Sequence, residues 1–348
     1  MSKGPATDGK SLRKRPTIYD LARQTGFSRG SISRAFNNSP NINASTREKI
    51  LKAARELGYA PHSGARLIKA TRTRRWGILL PDFSNPYYAQ IFEAFDIEAR
   101  RQQTFLQLGL FHYDVKISEG LALDWSGGEV DGLIVDAGAA ASEAKETFLR
   151  LQRRGVPLIM LHAQLHPEFD TLVFDRTVGL EHTLQSLQSL GHRRVAHVGM
   201  ITRHERESTS YVNWRAWMEQ HGEGDPEELS CFVPNNSMGG EQGWKILTRR
   251  GARFTAVVAY NDIIACGLIH AARLDGRRVP EDLSVVGEGD SQEGHRLGLT
   301  TMRTDLQLGA VLCFRQMEAR RQGDRSPAVV HRVESEFVLR HSFGPASA

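Results

Sequence analysis

The chain has 348 residues, 40% of them apolar, which is enough for two or three packed domains and excludes global disorder. Its apolar runs, such as 76-WGILLP-81 and 256-AVVAY-260, have strand length, so a membrane span is not expected, and the polar, basic opening lacks the apolar stretch of a secretory signal. The net charge of +5 is unevenly spread: residues 1–75 hold 17 lysines and arginines against four acidic residues, a net +13, and the remainder carries −8.

A basic head on an acidic body is the electrostatic footprint of nucleic-acid binding by the head alone. Cys231, Cys266 and Cys313 are widely spaced and form no CxxC, which fits buried thiols in a reducing cytoplasm.

Residues 1–16 read as a disordered basic arm. Thr17 and Asp20 then form an [ST]-x-x-[DE] helix start, followed by Ile18, Leu21 and Ala22 on one helical face. Gly26 breaks the run, Phe27 plugs the turn, and Ser28 caps a second helix, 28-SRGSISRAFNN-38, with Ile32, Ala35 and Phe36 inward. A short helix, a glycine turn and a second short helix describe a helix-turn-helix. The second helix exposes Arg29, Gly30, Ser31, Ser33 and Arg34, a polar face suited to the major groove. Asn43 or Ser45 opens a third helix, 44-ASTREKILKAARELG-58, which offers Arg47 and Lys49 to phosphates and ends at Gly58.

From Trp76 onward short apolar runs alternate with longer amphipathic stretches. The runs include 76-WGILLP-81, 131-DGLIVD-136, 156-VPLIML-161, 195-VAHVG-199, 256-AVVAY-260 and 283-LSVVG-287. The stretches include 87–102, 142–155, 179–191 and 263–276. Repeating strand and helix predict parallel sheets covered by helices, with ligands at the carboxyl ends of the strands.

The run from Thr17 to Lys69 resembles the headpiece of the LacI/GalR family, matching T-I-x-D-[VL]-A, G-[VF]-S, [VI]-S-R, T-R-x-K and L-G-Y-x-P almost without gaps. The resemblance continues through 81-PDFSNPYYAQIFEAF-95, 190-LGHRRVAHVG-199, 261-NDIIACG-267, 279-VPEDLSVVG-287 and 299-LTTMRTD-305, to about residue 343. It implies an all-α helix-turn-helix headpiece over 17–60 and a hinge helix over 61–73. An α/β two-lobed periplasmic-binding-protein-like sensor domain would then fill 74–345. The N-lobe is expected over about 75–175 and 305–332, and the C-lobe over about 176–304 and 333–345.

The DNA contacts implied are Thr17, Ser28, Arg29, Gly30, Ser31, Ser33, Arg34, Asn37 and Arg47. In the hinge, Ala65 and Lys69 fit the family pattern and Ile68 takes the position of its minor-groove leucine wedge. The alternative for 61–70 is a plain linker, since Gly64 lowers helix propensity.

The resemblance also implies an effector cleft between the lobes, with Tyr87 and Tyr88 stacking and Asn261 and Asp262 supplying an amide and a carboxylate. Three positions depart from the pattern. His162 stands for an aspartate, Ser210 for an arginine, and 287-GEGD-290 replaces G-[FY]-D-D, leaving Glu288, Gly289 and Asp290. Loss of two carboxylates and a guanidinium removes charge-assisted contacts. The expected effector is therefore a carbohydrate derivative bulkier or more acidic than a plain hexose. The alternatives are a constitutive DNA-binding protein with a degenerate cleft and a solute-binding module.

Other constellations fail on spacing. His162 and His166 lack the glutamate of H-E-x-x-H, and 239-GGEQGWK-245 misses the phosphate-loop pattern. Tyr88, Trp214 and Trp244 could be core or cleft aromatics. No catalytic set, metal or cofactor is expected. The expected partners are double-stranded operator DNA, a small-molecule effector and a second copy of the chain in a homodimer that represses transcription.

Overall fold

The computed structural model describes residues 16–36, 39, 41–59, 73–136, 143–162, 166–201 and 205–347. The basic arm to residue 15, Asn37 and the hinge positions Ala65, Ile68 and Lys69 lie outside the described residues. The chain divides into two compact units, Met1–Thr73 and Arg74–Ala348.

In the first unit, local capping signals set three helices: α1 (Ile18–Thr25), α2 (Arg29–Phe36) and α3 (Ala44–Leu57). Thr17 and Asp20 form a reciprocal capping box: the Thr17 backbone N–H donates to the Asp20 carboxylate at 2.8 Å, and the Asp20 amide to the Thr17 hydroxyl at 3.4 Å. Gly26 ends α1 in the left-handed region at φ 71°, a conformation that costs glycine nothing. Of the two residues considered as openers of α3, Asn43 is the cap, accepting from the Thr46 amide at 2.8 Å. Leu21, Ile32, Ala35, Ile50 and Ala54 meet in one small core, closed on one side by the Phe36–Tyr59 ring pair.

In the second unit the N-lobe sheet contains β1 (Arg75–Leu80), β2 (Phe105–Leu110), β3 (Leu133–Asp136), β4 (Leu158–Leu161) and β5 (Asp170–Asp175), in the order β2-β1-β3-β4-β5. All pair in parallel. Helices α4 (Pro86–Arg101), α5 (Val115–Ser126) and α6 (Lys145–Arg153) connect them. Period-two alternation divides the side chains of β1: Trp76, Ile78 and Leu80 pack with Ile91, Phe95 and Phe314, and Leu79 packs on the other face with Trp125, Leu133 and Phe148.

The C-lobe sheet has β6 (Val195–Met200), β7 (Ser230–Val233), β8 (Ala256–Ala259), β9 (Ser284–Glu288) and β10 (Thr300–Thr304), in the order β10-β9-β8-β6-β7. Around it lie α7 (Thr177–Ser189), α8 (Thr209–His221), α9 (Ser237–Arg249), α10 (Asp262–Leu274) and α11 (Gln292–Arg296). After β10 the chain returns to the N-lobe as α12 (Leu306–Arg321), whose Cys313, Phe314 and Met317 enter the N-lobe core.

The last strand, β11 (Val330–Val338), serves both lobes. It runs parallel to β5 from Val330 to Glu334 and antiparallel to β10 from Ser335 to Val338. The chain thus changes lobe at Arg176, at Asp305 and between Glu334 and Ser335, the last of these two residues beyond the expected 332/333 boundary. All three cysteines are buried and free, and burial pushes the Cys231 and Cys266 thiols up to about 12.

Candidate DNA-reading face and interlobe cleft

On the headpiece, Ser28, Arg29, Gly30, Ser33 and Arg34 are exposed along one side of α2 while Ile32 and Ala35 face inward. Ser28 caps the helix, its hydroxyl accepting from the Ser31 amide at 3.1 Å and lying 3.0 Å from the Ser31 hydroxyl. Arg29 is held by Tyr19 of α1: its guanidinium donates to the phenol oxygen at 2.9 Å and lies 5.0 Å over the ring. A side chain at Gly30 would meet only the Ser28 hydroxyl, at 3.8 Å, so the glycine opens the helix surface without any need of the fold for it.

Arg47 departs from the phosphate role expected of it. Its guanidinium donates inward to the Ser39 carbonyl at 2.7 Å, tying α3 to the loop after α2, whereas Lys49 is exposed.

The strand ends of the second unit converge on a cleft. Asn85 caps α4, accepting from the Tyr87 amide at 3.0 Å, and Pro86 takes the first helical position, so 85-NPYY-88 starts the helix with two tyrosines in its first turn. Tyr87 packs edge-on to Tyr88 at 5.8 Å and beside the His162 ring at 5.8 Å. Burial, then the Glu288 charge, raise the Tyr87 phenol well above its ordinary value, so it stays a protonated donor. A Cβ at Gly289 would sit 3.9 Å from the Tyr87 ring, so the N-lobe aromatic closes on the C-lobe glycine. His162 follows β4 with φ 73°, and its Nε2 lies 3.1 Å from Asp136 at the end of β3.

Three C-lobe candidates are spent within their own lobe. Asp262 is 2% exposed; it accepts from the Thr301 hydroxyl and the Ser291 amide, each at 2.6 Å, and burial raises its carboxyl. Ser210 is 2% exposed, its hydroxyl 3.0 Å from Nε2 of His197 in β6. Asp290 is engaged by Arg340 at 2.5 Å and Arg303 at 3.4 Å. Asn261 caps α10, accepting from the Ile264 amide at 3.1 Å, and its side-chain amide donates to Asn235 at 2.6 Å. The readings of Ser210, Asp262 and Asp290 as ligand groups are therefore corrected: each polar end already holds together elements of the C-lobe.

Glu288 ends β9, and a residue that the sequence reading missed stands beside it. Arg176, the crossover residue between β5 and α7, reaches Glu288 at 3.2 Å and lies 4.9 Å over the Tyr260 ring. One Glu288 carboxylate oxygen is buried without a hydrogen-bond partner, and burial raises that carboxyl. Tyr113 follows β2 at φ 60°, and burial followed by Asp82 and Asp136 pushes its phenol up to about 12. The cleft thus gathers Tyr87, Tyr88, Tyr113, Tyr260, His162, Asp136, Arg176 and Glu288. The clue to Arg176 and Glu288 was a charge at each of two strand ends, 175-DRT-177 and 287-GEG-289.

Trp214 and Trp244 are core aromatics. Their indole N–H groups donate to the Val195 carbonyl at 3.1 Å and to Asp275 at 2.6 Å. The glycines of 239-GGEQGWK-245 serve helix packing, since a Cβ at Gly240 would fall inside the Ile264 carbonyl of α10. Among the described residues no group of three or more His, Cys, Asp or Glu side chains is placed to hold a metal. A depression at the opposite end of the N-lobe strands holds two ion pairs, Arg320 with Asp170 at 2.6 Å and Arg153 with Glu168 at 2.5 Å.

Residues 17–62 match the family described as bacterial regulatory proteins, lacI family, and residues 184–343 match the periplasmic binding protein-like domain. The chain is 29% identical to the HTH-type transcriptional regulator DegA of Bacillus subtilis, over 94% of this chain and 98% of that protein. It is 27% identical to the HTH-type transcriptional repressor PurR of Pectobacterium carotovorum, over 94% and 96%. In fold it resembles the lac repressor dimer bound to operator and the anti-inducer ONPF, with TM-score 0.78 and 22% identity over 94% of this chain and 99% of that one. It also resembles the transcriptional regulator CelR in complex with cellobiose, with TM-score 0.68 and 24% identity over 94% and 100%. With its helix-turn-helix headpiece and two-lobed α/β body, the chain belongs to the LacI/GalR family of bacterial transcriptional regulators.

Proposed function

We propose that the protein is a transcriptional repressor that binds a pseudo-palindromic operator as a homodimer and is modulated by a carbohydrate-related effector in the cleft between its lobes. The exposed face of α2, with Arg29 and Arg34 directed away from the head's core, is the observation that carries the DNA-binding half of this reading. Similar structures support the rest: a lac repressor dimer on operator and a CelR–cellobiose complex. Effector binding would stabilise one relative arrangement of the lobes and so change operator affinity, by the difference in its affinity for the two states. We read the chain as a binding protein and not an enzyme, working in the cytoplasm where the operator lies. No helix among the described residues is long and apolar enough to cross a membrane.

The test begins with genomic fragments bound by the purified full-length protein. Enrichment of one inverted repeat, bound with a steep salt dependence, and released or tightened by a saccharide, supports the reading. Fragments without a shared repeat would refute it.

A further inference from the structure

Arg176 and Glu288 meet in the cleft at 3.2 Å, and their setting is that of a reading pair, not of a finished structural salt bridge. Glu288 spends one oxygen on Arg176 and buries the other with no hydrogen-bond partner. A buried acceptor left open costs free energy unless something donates to it. Arg176 stacks on Tyr260, so its plane is fixed by a ring lining the same space. The Tyr87 ring comes from the N-lobe, beside His162, and its phenol feels both Arg176 and Glu288.

Relative to the family pattern, positions 162, 210 and 289 have lost two carboxylates and a guanidinium. The folded chain brings two carboxylates, Asp136 and Glu288, and one guanidinium, Arg176, to the cleft from other positions. The charge set has moved; it has not been lost.

We propose that Arg176 and Glu288 are the specificity-determining pair of the effector cleft, and that they select a neutral saccharide over a sugar acid. This rests on the cleft being the effector site. The open Glu288 oxygen accepts from a ligand hydroxyl, Arg176 donates to a ring or hydroxyl oxygen, and the Tyr87 and Tyr88 rings cover the apolar face of the sugar. An anionic ligand meets Asp136 and Glu288 with a single guanidinium already engaged, so the acidic ligand expected from the loss of Asp at 162 and 289 is disfavoured. Because Arg176 is itself the first crossover between the lobes, its ligand contact sits on a connection between them.

The test is calorimetric titration of the full-length protein with glucose, galactose, cellobiose, maltose and lactose, and with gluconate, glucuronate and galacturonate. The protein is expected to bind at least one neutral sugar and to prefer it to every acid. Glu288→Gln should weaken that sugar by about tenfold or more and shift selectivity toward the acids, because Arg176 is released; a purely structural role would not reverse the preference. If Glu288→Gln does not fold, the double variant Arg176→Gln/Glu288→Gln carries the test through loss of neutral-sugar affinity. A wild-type preference for acids overturns the proposal. So does binding that Tyr88→Ala abolishes while Glu288→Gln and Arg176→Gln stay within about twofold of wild type; the cleft reading then stands. If no panel member binds, or Tyr88→Ala leaves binding unchanged, the cleft reading itself falls and takes this proposal with it.

Discussion

The Thr301 hydroxyl donates to one carboxylate oxygen of Asp262 at 2.6 Å, and the Ser291 backbone amide donates to the other at 2.6 Å. Asp262 begins α10, Thr301 lies in β10, and Ser291 caps α11, so one buried side chain pins three elements beneath the cleft floor. Gly287 and Gly294 pack against the same carboxylate, leaving no room for another side chain.

Asp262→Ala should therefore act on stability and not on ligand recognition. It leaves a buried hydroxyl and a buried amide without an acceptor, at about 1–3 kcal/mol each. At about 2–4 °C per kcal/mol for a domain of this size, the melting temperature falls well outside error. Asp262→Asn, which keeps one acceptor, should lose less. Effector affinity of the folded variants, measured below the transition, should stay near wild type; a tenfold loss in Asp262→Asn with an unchanged melting temperature would return the residue to the ligand set.

His197 provides a pH dependence of definite sign. Its ring lies among Trp214, Tyr211 and Phe232, at 5.3, 5.7 and 6.3 Å, and burial followed by the Arg176 charge lowers its pKa to about 3. The unfolded chain takes up a proton near 6.5 and the folded chain does not, so stability is present above pH 6.5 and is lost as pH falls from there toward 3. The slope for one such group approaches about 1.4 kcal/mol per pH unit. His192 and His331 are lowered and act with the same sign, whereas the raised carboxyls of Asp262 and Glu288 act against it. Comparison with His197→Gln isolates the term: the urea midpoint of wild type should drop more steeply between pH 7.5 and 5.5 than that of the variant. Parallel lines would mean that the ring is already charged in the fold.

Much of this architecture was legible in the sequence because its signals are local. Thr17 with Asp20, Gly26, Asn43 and Gly58 each mark a helix end within a few residues of the bond they make. Buried parallel strands show as continuous apolar runs, as in β1, β8 and β9. The edge strand β2 was harder to see, since Phe105 is exposed and Gln107 interrupts its run. The cleft was legible only by position. Tyr87 and Tyr88 are placed by their own helix start, but the partners of Asp262, Ser210 and Asp290 lie on other strands and helices. Nor does any spacing rule join Arg176 to Glu288; only the three-dimensional crossing of the lobes does.

The Arg29–Tyr19 contact gives the base-reading prediction a second handle. Arg29 offers a fork of donors that pairs bidentately with a guanine, worth roughly 1–3 kcal/mol of discrimination. Tyr19 orients that fork by a 2.9 Å hydrogen bond and a stacked ring. Arg29→Ala should relax preference at one symmetric pair of operator positions, and Tyr19→Phe should relax the same pair partially by removing the hydrogen bond alone. Binding measured across operators randomised at single positions decides it. A uniform loss over all sequences in Arg29→Ala would make the residue a phosphate contact.

Arg47 and Lys49 stand two residues apart on α3 and should respond oppositely to removal. The Arg47 guanidinium faces inward to the Ser39 carbonyl at 2.7 Å, with its Nε buried, so its charge serves to hold the loop after α2 against α3. Lys49 is exposed and carries no such tie among the described residues. A phosphate contact releases condensed counterions, so its loss lowers the salt slope of log K by about one. Lys49→Ala should therefore weaken operator and random DNA alike, flatten the salt dependence by that amount, and leave the melting of the headpiece unchanged. Arg47→Ala should lower headpiece stability by about 1.5–3 kcal/mol, the scale for a lost hydrogen bond to a charged group, with the salt slope of the folded fraction near wild type. Titration from 50 to 200 mM salt, with melting followed by far-ultraviolet circular dichroism on the same samples, separates the two. If Arg47→Ala flattens the slope by one and leaves melting untouched, its guanidinium swings out to the phosphates on DNA, and the inward bond to Ser39 belongs only to the unbound head.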